Sequence, residues 1–570
     1  MRSEGNKARR RVDFAGKKVK KGKEEEIAER GKENFFAKTG REAKKRWRRG
    51  GRSGIMTASG RNLGGSSETL SQRSKNGDFA MKNRRWKRSA LAALTVAVGA
   101  GTAGLAWAQD GQNGENAQTE KASQVAQAET ATYDPDATAE SLGLEPLVLP
   151  DDFFPLFPWD HLAHWGAEYQ PITEGLASMA ECGFTMSAFI GNVEDVETCR
   201  KLGLKCILEA NVERFDDRGL SEEEIAAKLA EIDAKIKERV ESTKNDPTVL
   251  GYSITDEPGA YHFRSLAATV AAIKKYAPGK LAYINLYPGY ASTIGADVDS
   301  QMGTRSYREY LERFVQEVKP QFISYDNYMI EYSEDLRDWK RGRSHFDDLF
   351  EVRSVAQKYG LPFWYIGSSL CIMKDSSPPT PARYACQAYT ALAAGAEGLT
   401  WFLYYPLGWH SSPIDKNGNK TLSWTYMREI NAQAKALGLY LKGWRSTAVG
   451  ITETDGLPTL PTNVLPGLTA AFSSQGVYAE GETPKLMVGE FAQKDGDSVA
   501  AMAVNLNFGT SVKVKFTKPD GFSTLKIVSP VDGVARSVDE AELEAGFWIL
   551  PGHGTLFVWE KRADGQKAPQ

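Results

Sequence analysis

The sequence predicts a (β/α)8 barrel followed by a C-terminal all-β domain of the sandwich type. Three observations carry this. A strand-then-helix rhythm repeats eight times within about 290 residues, the span such a barrel needs. Near residue 445 the texture changes to short alternating runs separated by turn residues. Between them in character stands Gly251-Tyr252-Ser253-Ile254-Thr255-Asp256-Glu257-Pro258-Gly259, which begins as a buried strand and stops abruptly at two carboxylates and Pro-Gly. The C-terminal mouth of a barrel is where strand-end carboxylates do chemistry.

Composition sets the bounds. A chain of 570 residues, 41% hydrophobic and 25% charged, is long enough for two or three domains with sizeable cores. The net charge of −2 conceals an asymmetry: residues 1–108 hold 28 Lys/Arg against 10 Asp/Glu, and the remainder holds 43 against 63. An acidic body disfavours nucleic acid and anionic membrane as partners. The five cysteines show no CxxC and no Cys/His spacing suited to zinc, so neither a metal nor a cofactor is expected. They read as buried thiols, with one disulfide open to an exported chain.

The first eighty residues, rich in Lys, Arg, Glu and Gly, read as a disordered basic leader. Met81 is followed by a basic run to Arg88, an apolar run from Ser89 to Leu105, and Ala106-Trp107-Ala108. This is the pattern of a secretory signal over 81–108, cleaved after Ala108, and it implies a secreted or periplasmic protein. It also implies that Met81 is the true start and that 1–80 lie upstream of it. The alternative is a membrane anchor retained through 89–108. With cleavage, no stable membrane insertion is expected. Residues 109–148, rich in Gln, Ala, Thr, Glu and Asn, read as a flexible linker.

The barrel is expected over 149–444. Strands are read at 153–159, 184–190, 204–208, 251–256, 281–286, 322–325, 362–366 and 398–403, from apolar runs that end in polar or turn residues. The helices between them are read at 172–182, 193–202, 221–243, 263–276, 307–318, 346–359 and 381–394, with a last one at 424–441. Ser221 followed by three glutamates is an N-cap with an acidic first turn, and Pro381 suits a first helical position. Gly183, Gly203 and Gly360 mark helix ends. No Gly-rich phosphate loop follows the first strand, which argues against a doubly wound nucleotide-binding sheet. The β domain is expected over 445–562, with runs at 486–492, 498–506, 511–516 and 524–528, a closing hairpin at 547–559 and a tail at 563–570.

The strand ends collect Asp160, Glu209, Asp256, Glu257, Asn285, Asp326, Tyr328, Trp401, Tyr404 and Tyr405 at one rim, with Trp364 inside the seventh strand and Trp409 after the eighth. Carboxyls among aromatic and amide side chains suit sugars, whose apolar faces stack on rings and whose hydroxyls bond amides and carboxylates. Glycoside cleavage needs one protonated carboxyl and a second carboxylate. Asp160 and Glu209 suit structural hydrogen bonds as readily as sugar contacts. The tyrosines could equally be packing. His161, His164 and His410 have no ligand-spaced partner and read as polar packing or substrate contacts.

A barrel whose fourth strand closes in Asp256-Glu257-Pro258 and which precedes a β domain resembles the clan A glycoside hydrolases, β-galactosidase-like enzymes above all, which are TIM barrels. In that clan the fourth strand ends in Asn-Glu and the Glu is the acid/base, a role the resemblance gives Glu257. Asp256 stands where the clan has Asn. The clan's nucleophile is a Glu ending the seventh strand, where this sequence has Ile366-Gly367-Ser368-Ser369.

The expected function is an exported glycoside hydrolase acting on an oligo- or polysaccharide, with Glu257 as acid and Asp326 or Asp256 as second carboxylate. Asp326 is expected as the base of an inverting reaction. Asp160, Glu209, Asn285, Tyr328, Trp364, Trp401, Tyr405 and Trp409 are expected to bind substrate. The alternative is a non-catalytic carbohydrate-binding barrel.

Overall fold

The computed structural model describes residues 133–160, 172–294, 300–332, 339–372, 378–406, 409–451, 468, 471–476, 485–493 and 498–561. The leader, the signal segment and 109–132 lie outside these residues. The end of the expected linker does not: from Tyr133 the chain is laid against the barrel. Lys358 Nζ donates to the Pro135 carbonyl at 2.7 Å, Leu147 N donates to the Gln321 carbonyl at 2.8 Å, and Ala137 is buried. A short helix, Ala139–Leu142, is capped reciprocally by Thr138 and Ser141.

Eight parallel strands follow: β1 (Leu156–Pro158), β2 (Met186–Ile190), β3 (Lys205–Glu209), β4 (Val249–Asp256), β5 (Leu281–Leu286), β6 (Ile323–Asp326), β7 (Phe363–Ser368) and β8 (Gly398–Phe402). They hydrogen-bond in the order β1-β8-β7-β6-β5-β4-β3-β2. Helices Ile172–Glu181, Glu194–Lys201, Glu222–Val240, Phe263–Tyr276, Tyr307–Arg313, Trp339–Lys358, Pro381–Ala393 and Leu422–Tyr440 alternate with them. The helix expected over 307–318 changes to a π turn at Phe314–Val318, and the one expected from 346 starts at Trp339.

Between β1 and β2, Thr185 bridges the seam. Thr185 N donates to the Leu156 carbonyl at 2.9 Å, while Thr185 Oγ1 donates to the Phe154 carbonyl at 2.7 Å and accepts from Leu156 N at 2.9 Å. The side chain thereby completes a ladder that the backbones alone leave short.

Side-chain alternation sorts two cores. Leu281, Tyr283, Phe322, Trp364, Phe157, Phe189 and Ile366 point inward and fill the barrel with rings; Phe322 and Trp364 lie 4.4 Å apart, centroid to centroid. Ala282, Ile284, Leu286, Ile323, Tyr325, Phe363, Tyr365 and Leu399 point outward against the helices.

The C-terminal domain packs a six-stranded sheet, ordered β15-β14-β17-β12-β11-β9, over a three-stranded one, β10-β13-β16. Their ranges are β9 Trp444–Ile451, β10 Phe472–Gly476, β11 Leu486–Gln493, β12 Ser498–Asn505, β13 Val512–Phe516, β14 Phe522–Val528, β15 Ala535–Ser537, β16 Phe547–Ile549 and β17 Gly554–Lys561. The hairpin expected at 547–559 is not one. β16 joins the small sheet beside β13, and β17 crosses to the large sheet between β12 and β14. Leu486, Val488, Ala501, Ala503 and Phe557 face into the sandwich, whereas Met487, Phe491, Ala500, Met502 and Leu556 face the barrel. They meet helix Pro381–Ala393, whose residues from Ala382 onward are all buried. A Cβ on Gly489 would stand 1.8 Å from the Ala393 carbonyl oxygen, so only glycine permits this approach.

The seam gives a direct test. Thr185→Val keeps the shape but strands the Leu156 N–H and the Phe154 carbonyl, and should lower stability by about 1–3 kcal/mol, whereas Thr185→Ser should retain most of it. Urea denaturation monitored by tryptophan fluorescence measures both. A valine variant as stable as the parent would show that the seam is closed by other means.

Candidate active site

The inward positions of β5 and β6 climb out of the ring-filled core. The Tyr283 hydroxyl is 3.0 Å from Ser324 Oγ, which donates to Asn285 Oδ1 at 3.1 Å. Asn285 Nδ2 then donates both to Asp256 Oδ1, at 3.1 Å, and to Asp326 Oδ1, at 2.8 Å. One amide thus bridges carboxyls on β4 and β6, and those two oxygens are no more than two hydrogen-bond lengths apart. A register shift between Ser253 and Thr255 against β5 sets Asp256 directly beside Asn285.

Glu257 follows in the left-handed region at φ 42°, a conformation that costs a non-glycine residue about 1–3 kcal/mol. The surroundings hold it there. Glu257 N donates to the Asn285 carbonyl at 2.9 Å, Ala260 N to the Met302 carbonyl at 2.8 Å, and the Tyr310 hydroxyl to the Pro258 carbonyl at 2.6 Å. The turn swings the Glu257 carboxyl toward the same group, so Asp256, Glu257 and Asp326 sense one another.

Electrostatics separates the three. Asp256 and Glu257 keep some surface open at the mouth, yet the surrounding protein desolvates both. Burial pushes Asp256 up only to about 6, because the Asn285 amide, the Arg214 guanidinium and the Glu257 N–H favour its anion. Burial carries Glu257 well above the usual carboxylate range, and the neighbouring Asp326 and Asp256 add to that. Asp326, 2% exposed, is also pushed well up by burial and by Asp256, against the Asn285 and Tyr328 hydrogen bonds. Its Oδ2 has no partner among the described residues. Asp256 is therefore the member that ionises first. Asp326, expected as the ionised base, is the most enclosed of the three.

Arg214, on the loop after β3, donates through Nη1 to Thr255 Oγ1 and to the Asp256 carbonyl, the latter at 2.6 Å. The sequence reading missed it, as it missed Phe402, on which Tyr328 stacks with centroids 5.1 Å apart. A lone arginine in the run Glu213-Arg214-Phe215-Asp216 was the available signal. Trp409 meets the other side of this group, edge-on to Phe402 at 5.2 Å.

Of the other expected substrate contacts, Glu209 ends β3 half-buried, and its carbonyl accepts from Arg239 Nε at 2.8 Å. Two tryptophans are not where the sequence put them. Trp364 is fully buried in the barrel core below the mouth, because its position on β7 pairs with Ser324 rather than Asp326. Trp401 falls on the outward parity of β8 and donates from Nε1 to Asn431 Oδ1, at 2.8 Å, in helix Leu422–Tyr440. Tyr405 is buried against Tyr404. Asp160, 1% exposed, accepts from Tyr405 N at 3.0 Å and braces the chain after β8 instead of facing the mouth. His161 and His164 lie outside the described residues. All five cysteines are buried, and none forms a disulfide among the described residues. Among the described residues no group of three or more His, Cys, Asp or Glu could hold a metal ion, and no helix is long and apolar enough to cross a membrane.

No protein-family model matches the chain, and no curated protein matches it. Among solved structures, it is similar to a glycoside hydrolase family 5 protein from Bacteroides vulgatus, at 12% identity over 75% of this chain and 95% of that one, with a TM-score of 0.43. A family 42 β-galactosidase from G. stearothermophilus is similar at 7% identity over 72% and 98%, also with a TM-score of 0.43.

Asp160 yields a pH test. Burial raises its carboxyl from 3.8 to about 8. Between those values the native state holds a proton that the unfolded chain has released, so its contribution to stability is full at low pH and is lost as pH rises toward 8. Asp160→Asn keeps an acceptor for Tyr405 N and removes the titration. Its stability relative to the parent should improve steadily from pH 4 to pH 8 in urea melts; a pH-independent difference would contradict the assignment.

Proposed function

We infer that this chain is an exported hydrolase of glycosidic bonds in an oligo- or polysaccharide, with Glu257 as proton donor and Asp256 as the ionised carboxylate beside it. The observation that carries the reading is the Asp256–Asn285–Asp326 bridge with Glu257 turned onto it at the C-terminal end of β4. A glycosidic oxygen leaves as an alkoxide unless it is protonated as the bond breaks, so the donor must carry its proton at neutral pH. Desolvation and two neighbouring carboxyls keep Glu257 in that form. Asp256, the more readily ionised, supplies negative charge for the oxocarbenium-like transition state. Tyr328, Phe402 and Trp409 offer ring faces and a hydroxyl at the same rim.

Export is part of the proposal, on the strength of the basic, apolar and Ala-x-Ala segments at 81–108. One observation favours a second reading, a glycan-binding barrel without turnover: β7 ends in Ile366-Gly367-Ser368, with no carboxylate.

Hydrolysis of a glycan panel by the parent and by Glu257→Gln decides between them. The variant should lose about 10²–10⁴-fold in kcat. Activity should also fall as pH drops below about 6, where Asp256 takes up a proton. Binding of glycans with no turnover by the parent would select the second reading.

A further inference from the structure

Acid catalysis by Glu257 leaves open what attacks the anomeric carbon. Ile366 lies in the barrel core, and Ser368 Oγ donates to Glu331 Oε2 and to the Leu370 carbonyl, each at 3.0 Å. The described end of β7 therefore offers no nucleophile. Asp256 ends β4 and Glu257 follows it directly in the turn, so the two are chain neighbours rather than carboxyls on separate strands, as an acid–nucleophile pair flanking a bond would be. Asp326 is the most enclosed carboxyl, with Oδ1 held by Asn285.

Such a group of side chains fits a substrate that brings its own nucleophile. We propose that the substrates are glycans of 2-acetamido-2-deoxyhexoses, and that the acetamido carbonyl oxygen attacks C1 while Asp256 holds the amide N–H. This rests on the reading of Glu257 as proton donor. As the acetamido oxygen bonds to C1, positive charge grows on its nitrogen and calls for an anion at hydrogen-bond distance. Asp256 has one oxygen fixed by Asn285, the Glu257 N–H and the Arg214 guanidinium also favour its anion, and it is the first of the three carboxyls to ionise. The Tyr328 ring, stacked on Phe402 with its hydroxyl beside Asp326, lies at the same rim as a face for the sugar.

The steps balance. In the first, the C1–O bond to the leaving group breaks, the Glu257 proton passes to that oxygen, and the acetamido oxygen closes a five-membered oxazolinium ring on C1. In the second, the Glu257 carboxylate takes a proton from water, the hydroxide bonds to C1, and the ring opens to regenerate the acetamide. Two displacements at C1 give net retention, and water is the only co-reactant.

The test uses pairs of 4-methylumbelliferyl glycosides that differ only at C2, acetamido against hydroxyl, in gluco and galacto series and both anomers. The acetamido member of at least one pair should be cleaved about 100-fold faster or more in kcat/KM, as expected when the nucleophile is built into the substrate. Its first-formed product should keep its anomeric configuration by NMR. Successive fluorination of the acetyl group should slow the parent enzyme stepwise. Asp256→Asn should lose most of the activity on the acetamido member. Equal cleavage of the hydroxyl members, still dependent on Glu257, would overturn this inference and leave the hydrolase reading standing, as would an inverted product. Neither cleavage nor binding of any member would overturn both.

Discussion

The bifurcated donation from Asn285 organises the mouth of this barrel. Two carboxyls brought this close would repel if both were ionised, and a neutral amide with two N–H groups aimed at them reduces that cost without adding charge. Its own oxygen is fixed by Ser324, which leans on Tyr283, so the amide cannot flip without breaking the column beneath it. The chemistry above thus inherits its geometry from aromatic packing in the core. Glu257 completes the arrangement at the expense of local backbone strain, which the Tyr310 and Met302 contacts offset.

Charge is distributed with the same economy. Three desolvated carboxyls cannot all be anions, and Arg214 stands close enough to favour ionisation of one. Among the described residues it contacts neutral oxygens rather than forming an ion pair, so its field acts on Asp256 and Glu257 without locking either.

Much of this is legible in the sequence. Period-two alternation and carboxylates at strand ends located β4, β5 and β6, and the central trio, Asp256, Asn285 and Asp326, follows from those strands being neighbours. What failed was parity and depth. Trp401 was read as a mouth residue because it lies near the end of β8, but Leu399 and Trp401 share the outward face. Trp364 has the inward parity but sits one layer below the carboxyls, a depth fixed by the barrel's stagger, which no single strand encodes. Arg214 lies on a loop, where no periodicity signals direction. The pair 547–559 read as a hairpin because its sequence carries the right turn; which sheet each strand joins is decided by partners far away in the chain.

Helix Pro381–Ala393 links the two domains in a way that bears on stiffness. One side packs under the six-stranded sheet, close enough at Gly489 for backbone to touch backbone. From its other side Gln387 accepts from Ser368 N at 2.7 Å and donates to the Ser368 carbonyl at 3.0 Å, gripping the last residue of β7. The sandwich therefore acts as a splint on the β7 wall of the mouth. Loosening it would let that wall breathe, so the domain that carries none of the candidate chemistry helps set how rigidly the candidate rim is held.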